Sequence, residues 1–331
     1  MGILSFFNRL LSPKKALAYE RPKLTPAIVL AAFGSTRPEA LLALENIEAK
    51  VRAAFEGYEV RLAFTSNQIR AIWRARGADP EYRQKRPEIP ARYYQPRNFL
   101  SQLAYLQEAG GRLILAQPLL MADGEEFRDL YNLVEALKSF KTRQRSLHPF
   151  PWLALGPPAL GLGDDDQAAL TRAAKALSPI ALLAAQKEGT VVMMAHGHET
   201  LELKVFRALE VKARELYGPK FVIGLVEGQP DFGEVLDAVA KVASKGSFLL
   251  LAPLMLVAGD HAQNDLASDD GWAGQFRRLG YNVEVLSRGL GSSDLWADIY
   301  VDNLKKLAEE VIKAKNLEEA VEEREKAKKH D

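Results

Sequence analysis

The chain has 331 residues, of which 47% are hydrophobic and 26% charged, and its formal net charge is +1. This hydrophobic fraction is typical of globular proteins and excludes a disordered or fibrous chain. The near-neutral charge excludes a dedicated nucleic-acid binder, since such domains carry a marked basic excess. The sequence contains no cysteine, so disulfides, thiolate metal sites, iron–sulfur clusters and cysteine nucleophiles are excluded.

Residues 1–23 differ from the rest of the chain. Asn8 and Arg9 interrupt their apolar residues, and most basic residues follow the apolar part. This order is wrong for a secretory signal, although residues 16–18 have the A-x-A form of a cleavage site. We expect an N-terminal extension on a cytoplasmic protein, whereas a cleaved signal would make the protein periplasmic. No run is long and apolar enough for an integral membrane span.

The body of the chain alternates between predicted strands and helices. Residues 27–33 form an apolar run that ends at Gly34, which is typical of a strand buried on both faces. Apolar residues then recur at helical spacing from Leu41 to Phe55, and the alternation continues along the chain. This order predicts parallel sheets covered by helices, with functional residues at the carboxyl ends of the strands.

The predicted strands and helices fall into two similar α/β lobes. Proline and glycine cluster between residues 148 and 166, so we predict lobes at 24–150 and 151–305. Residues 306–331 interleave acidic and basic side chains, which predicts a charged helical tail.

The second lobe repeats the first in sequence. Segment 31–36 (AAFGST) aligns with 194–199 (MAHGHE), and a later alignment places Glu126 opposite His261. Two similar facing lobes predict a cleft between them, a favoured place for a ligand.

Three candidate metal ligands, His196, Glu227 and His261, each follow a predicted strand. We expect them to converge, because the carboxyl ends of parallel strands lie side by side. Two imidazoles and a carboxylate suit Co2+, Ni2+, Fe2+ or Zn2+. A purely structural role for these histidines is the alternative. His198 and His196 also form an H-x-H pair, which predicts a metal-dependent hydrolase that needs His198 and not Glu227.

An insertion at residues 74–98 carries seven basic side chains against three acidic ones. Such an excess predicts either a solvated face or a surface for a polyanionic ligand. Tyr93 and Tyr94 would add a flat surface for a planar ligand.

The segment 251–270 (LAPLMLVAGDHAQNDLASDD) resembles the signature of CbiK-type anaerobic sirohydrochlorin cobaltochelatases. Further matching segments follow the family's order between Ala27 and Leu304, namely 32–34, 63–66, 117–119, 124–127, 195–197 and 226–230. Family members often carry histidine where this chain has Leu120, and another shortly after the His-Gly motif, where it has residues 200–203.

The resemblance implies a class II chelatase fold that binds a tetrapyrrole in the cleft and inserts Co2+ without ATP or an organic cofactor. It also implies that His196, Glu227 and His261 hold the metal and that Glu126 faces them from the other lobe. We expect the two neutral imidazoles to accept the pyrrole protons, with help from Glu126.

Cations are needed for the carboxylates of sirohydrochlorin, and the candidates are Arg37, Arg61, Arg70 and the insertion. Fe2+ or Ni2+ chelation is one alternative function, and a periplasmic haem or metal carrier without catalysis is another. The expected partner is a small-molecule tetrapyrrole, with homo-oligomerisation left open.

Overall fold

Two four-stranded parallel sheets form the framework of the molecule. The computed structural model describes residues 26–143, 148–198 and 204–327, with side chains described as far as residue 318. The predicted extension 1–23 and the departure at 200–203 lie outside the described residues.

The first sheet has the strand order β2-β1-β3-β4 and the second has the order β6-β5-β7-β8. All pairings are parallel. The strands of the first sheet are β1 (Ala27–Ala32), β2 (Glu59–Phe64), β3 (Leu113–Pro118) and β4 (Trp152–Leu155). The strands of the second are β5 (Thr190–Gly197), β6 (Phe221–Glu227), β7 (Phe248–Pro253) and β8 (Asn282–Val285). The matching orders confirm the predicted fold class of two similar α/β lobes.

Helices cover both sheets. In the first half of the chain they are α1 (Pro38–Ala54), α2 (Asn67–Ala78), α3 (Pro80–Lys85), α4 (Phe99–Glu108) and α5 (Glu125–Ser139). In the second half they are α6 (Gln167–Ala176), α7 (Ser178–Ala185), α8 (Val205–Tyr217), α9 (Phe232–Ala240), α10 (Trp272–Arg278) and α11 (Asp294–Ala327). Ala91–Tyr94 and Leu290–Ser292 form 3₁₀ turns, and Ala262–Ala267 forms a π-helix.

Local sequence signals account for several helix starts. The Ser66 side chain accepts a hydrogen bond from the Ile69 amide at the start of α2. Asp231 and Glu234 form a reciprocal capping box at the start of α9. Each cap satisfies amide donors that the first helical turn leaves unpaired.

The two lobes share a hydrophobic core. The central strand β1 is buried along its whole length, as is β5 up to Ala195. One continuous cluster contains Leu44 of the first lobe, Met193 of the second, and Trp296 and Tyr300 of α11. Relative movement of the lobes therefore has to disturb shared apolar packing.

The predicted lobe boundary at residue 150 falls one strand too early. Strand β4 pairs with β3, with Leu113 opposite Trp152, and so completes the first sheet. The sequence around it is rich in proline and glycine and thus indicates a linker, but such residues also flank a short edge strand.

The charged tail predicted at 306–331 begins inside α11, which runs through residue 305 without a break. Its Tyr300 hydroxyl donates to the Leu120 carbonyl at 3.0 Å, and Asn303 Nδ2 donates to the Pro157 carbonyl at 3.3 Å. The second lobe's last helix is therefore fastened to the first lobe. Within the described residues no single helix could cross a bilayer, and α6 and α7 reach that composition only as a pair bent by 47°.

Gly197 ends β5 in a conformation that a side chain would obstruct. Its φ is +81°, and a Cβ atom there would lie 1.8 Å from the carbonyl oxygen of Glu227. The next amide, that of His198, donates to the same carbonyl at 2.9 Å. Glycine is required because the two strand ends approach this closely.

We predict that Gly197→Ala destabilises the protein more than Gly246→Ala. Gly246 has a similar φ of +86°, but a Cβ atom there would meet nothing within 4 Å, so it isolates the conformational cost of about 1–2 kcal/mol. The clash at Gly197 should add roughly 1–3 kcal/mol, because neighbouring backbone must move. Urea unfolding of both variants measures the difference, and equal losses would contradict the close approach.

Candidate active site

His196 and Glu227 lie side by side at the carboxyl edge of the second sheet. His196 is the penultimate residue of β5, Glu227 is the last of β6, and Gly197 pairs with Glu227 in the strand register. The distance from His196 Nδ1 to Glu227 Oε2 is 3.7 Å. Parallel pairing thus places the two side chains together, although they lie on separate strands joined by α8.

His261 reaches the same place by a different route. Strand β7 ends at Pro253, and a loop carries the chain to His261, which immediately precedes the π-helix. The His196 and His261 rings meet edge to face, with centroids 4.5 Å apart. The structure therefore brings His196 close to both of the other predicted ligands.

Asp265 orients the His261 ring. Its Oδ2 lies 2.7 Å from His261 Nδ1, and the two residues are four positions apart at the start of the π-helix. A proton on Nδ1 shared with the carboxylate leaves Nε2 as the acceptor nitrogen, as is usual for imidazoles that bind metals.

The candidate coordinating atoms of these three residues do not surround a single point. In the described part of the chain, no three His, Asp or Glu side chains are placed so that they could hold a metal ion. A zinc-bound imidazole nitrogen lies about 2.0–2.1 Å from the metal. His196 Nδ1 instead lies 3.1 Å from the Gly197 carbonyl oxygen, within hydrogen-bond distance. Metal ligation by His196, Glu227 and His261 stays a prediction that requires rotation of these partly exposed side chains.

Acidic residues of the first lobe face this edge. Glu125 and Glu126 begin α5, and Glu125 Oε2 lies 3.2 Å from His198 Nε2 of the second lobe. Glu126 remains exposed to solvent, but partial desolvation raises its pKa, the nearby His196 and His198 partly oppose this shift, and Asp129 adds to it. Glu126 thus retains a proton more readily than an ordinary glutamate, in the electrostatic reach of both histidines.

The three predicted substrate-binding arginines occupy different environments. Arg37 Nε donates to Asp260 Oδ1 at 2.8 Å, which joins the first lobe to the residue beside His261. Arg61 lies mid-strand at the sheet edge, paired with Glu59 and stacked on Tyr105.

Arg70 is only 5% exposed. It donates to the carbonyls of Phe64 and Thr65 and to the Asn67 side chain. Its donors serve the interior of the first lobe, and Arg61 is neutralised away from the strand ends. These placements argue against substrate binding by Arg61 and Arg70 and leave Arg37 beside the site.

Basic residues of the insertion 74–98 attach it to the rest of the first lobe. Arg92 pairs with Glu48, and Arg76 stacks on Trp73 and Tyr82. Tyr93 and Tyr94 are 2% and 7% exposed, so the prediction that they offer a flat binding surface is wrong. Their rings pack against Trp73, where burial of large apolar area stabilises the lobe.

The family model described as Cobalt chelatase (CbiK) matches residues 26–309. The chain belongs to this family. The chain is 28% identical over 286 residues to the "Sirohydrochlorin cobaltochelatase CbiKC" of Nitratidesulfovibrio vulgaris, a match that covers 86% of this chain and 90% of that protein. It is 30% identical over 207 residues to the "Sirohydrochlorin cobaltochelatase" of Salmonella typhimurium, with 62% and 72% covered.

Solved structures show the same fold at low sequence identity. SirB of Bacillus subtilis with Fe3+ superposes with a TM-score of 0.59 at 14% identity, covering 86% of this chain and 96% of SirB. DR2241 of Deinococcus radiodurans, a multi-domain protein described as structurally similar to chelatases, gives 0.52 at 13% identity over 85% of this chain and 55% of its own. The family match and the two sequence relatives confirm the resemblance to the CbiK family, and these structures confirm the fold.

Two residues, Asp265 and Phe33, were not predicted from the sequence. Asp265 could have been predicted from its spacing of four from His261, which places both side chains on one helical face. Phe33, at the end of β1, is 46% exposed. The alignment of Phe33 with His196 could have identified it, because an aromatic ring exposed at the matching strand end suits a planar apolar ligand.

The pKa of Glu126 gives a prediction for stability against pH. An ordinary glutamate titrates near pH 4.3, and a raised folded-state pKa means that the unfolded chain ionises first as pH rises. The Glu126 carboxyl therefore makes a contribution to stability that is lost as pH rises from about 4. Glu126→Gln removes this loss, so it should raise the melting temperature at pH 7 and leave it unchanged near pH 4.

Calorimetry at the two pH values measures the effect of Glu126→Gln. Glu108→Gln, at an exposed position at the end of α4, serves as the matched control and should change neither value. A melting temperature at pH 7 that falls on replacement of Glu126 would contradict desolvation as the dominant influence on this carboxyl.

Proposed function

We propose that this chain inserts Co2+ into sirohydrochlorin, in the cleft between its lobes and without ATP. The CbiK family membership and the printed names of its relatives support cobalt and this substrate. The single observation that carries the proposal is the contact of His196 with both Glu227 and His261 at one edge of the second sheet.

The reaction requires proton acceptors as well as a metal site. A divalent cation replaces two pyrrole N–H protons, so each turnover delivers Co2+ to the macrocycle nitrogens and releases two protons. Neutral imidazoles either bind a metal or accept a proton near neutral pH, so His196 and His261 serve in both steps. Glu227 anchors the ion with a negative charge.

The first lobe supplies the opposite side of the cleft. Glu126 faces His196 and His198 across it, and its raised pKa suits a group that must accept a proton from a weak acid. Phe33 offers an exposed apolar ring at the end of β1, where a flat macrocycle would be covered. We place the tetrapyrrole between this lobe and the histidines.

The two rival functions lead to different expectations from those of a chelatase. A hydrolase built on His196 and His198 needs both rings at one ion, whereas His198 reaches to Glu125 in the other lobe. A carrier of haem or metal would hold its ligand and form no metallated product. The donor set itself accepts Fe2+ and Ni2+ as well as Co2+, and cobalt is chosen on the names of the relatives.

We predict that His261→Ala lowers the rate of cobalt insertion by about 10²–10⁴-fold, the contribution usual for a positioned proton acceptor. The assay is anaerobic incubation of the purified protein with sirohydrochlorin and Co2+, followed by absorption spectroscopy. His148→Ala, in the loop before β4, is the matched control and should retain activity. Unchanged insertion by folded His261→Ala would remove this imidazole from the mechanism.

We expect Asp265→Ala to weaken productive binding of Co2+ more than it slows the insertion step. Loss of the carboxylate that orients His261 should raise the KM for Co2+ by roughly 10–100-fold, the usual cost of removing such a partner. Much of kcat should return at saturating Co2+. Asp270→Ala, at an exposed position in the same segment, is the control, and equal effects of the two substitutions would refute an orienting role.

A further inference from the structure

A cavity of about 500 Å3 lies between the lobes next to the candidate active site. The start of α1 forms one wall, and residues of the second lobe near 258–263 and 287–292 form the other. Its polar lining residues include Arg37, Asn46, Gln263, Ser287, Arg288 and Ser292. This volume is within the range of about 300–1,000 Å3 that is usual for small-molecule sites.

The cavity and the active site share a wall. Gln263 lines the cavity two residues after His261, in the π-helix that His261 precedes. Asp260, directly before His261, is the residue that pairs with Arg37 at 2.8 Å. The cavity is therefore bordered by the same segment that carries His261.

The charges in the cavity favour an anion. Two arginines line it, and the acidic lining residue Glu39 is already paired with Arg86 at 3.2 Å. Arg288 is exposed, and none of the described residues forms an ion pair or side-chain hydrogen bond with it. The positive end of the α1 dipole opens on the same space.

We propose that this cavity binds peripheral carboxylates of the macrocycle, with Arg288 as the main cationic contact. This inference rests on the proposed function, because it takes a tetrapyrrole with carboxylates on its rim as the ligand. Arg288 offers a fork of donors that matches a carboxylate. The alanines and Leu42 in the lining accommodate the apolar arms that carry the acids. Arg37 also lines the cavity and is already paired with Asp260, so it is less available than Arg288 to a ligand carboxylate.

The test is a titration of the metal-free protein with sirohydrochlorin, followed by absorbance. Arg288→Gln should raise the Kd by about 10- to 100-fold, the loss expected for one charge-assisted contact. Arg288→Lys should restore part of the affinity. Arg277→Gln, at an exposed position on α10 outside the cavity, should bind like the wild type. The Kd for Co2+ alone should be unchanged in all three variants.

The outcomes separate the subsite from the proposed function. A Kd for Arg288→Gln equal to that of the wild type overturns the subsite, even if cobalt insertion is intact. Weaker binding by Arg288→Gln alone supports the subsite, even if the wild type forms no cobalt product. A second titration with succinate tests a free dicarboxylate as the occupant. Succinate binding that depends on Arg288, with unchanged sirohydrochlorin affinity, would overturn the macrocycle as ligand.

Discussion

The close pairing of β5 with β6 is the constraint on which the site depends. Parallel strands present their carboxyl ends at one edge of the sheet, so His196 and Glu227 become neighbours by backbone register alone. Gly197 permits this approach, because its missing Cβ makes room for the Glu227 carbonyl. With a wider separation, His196 would lose its contact with Glu227.

The two lobes have the same architecture and complementary chemistry. Where the second lobe has His196, the first has Phe33, and where the second has His261, the first has Glu126. One lobe thus carries the two histidines, and the other carries an apolar ring and a carboxyl of raised pKa. Helix α11 and the shared core hold the two halves together, and Glu125 Oε2 of the first lobe lies 3.2 Å from His198 Nε2 of the second.

Charge alone is a poor guide to binding in this protein. The insertion 74–98 has an excess of basic residues. Its Arg76 nevertheless stacks on the Trp73 ring, and its Arg92 pairs with Glu48, so both act within the first lobe. The sequence pattern does not predict a binding role for Arg288, because no cluster of basic residues surrounds it. Its position beside a cavity that shares a wall with the active site is what gives it a role in our proposal.

The sequence by itself determined the alternation of strands and helices, the internal repeat and the family, since periodicity and motifs are local properties of the chain. It also pointed to His196, Glu227 and His261, because strand ends can be recognised locally. Only the tertiary structure decided that β4 completes the first sheet, that Tyr93 and Arg70 are buried, and that Asp265 engages the His261 ring. These outcomes depend on which distant segments pack together, and burial and contact across the chain cannot be assigned from the order of residues alone.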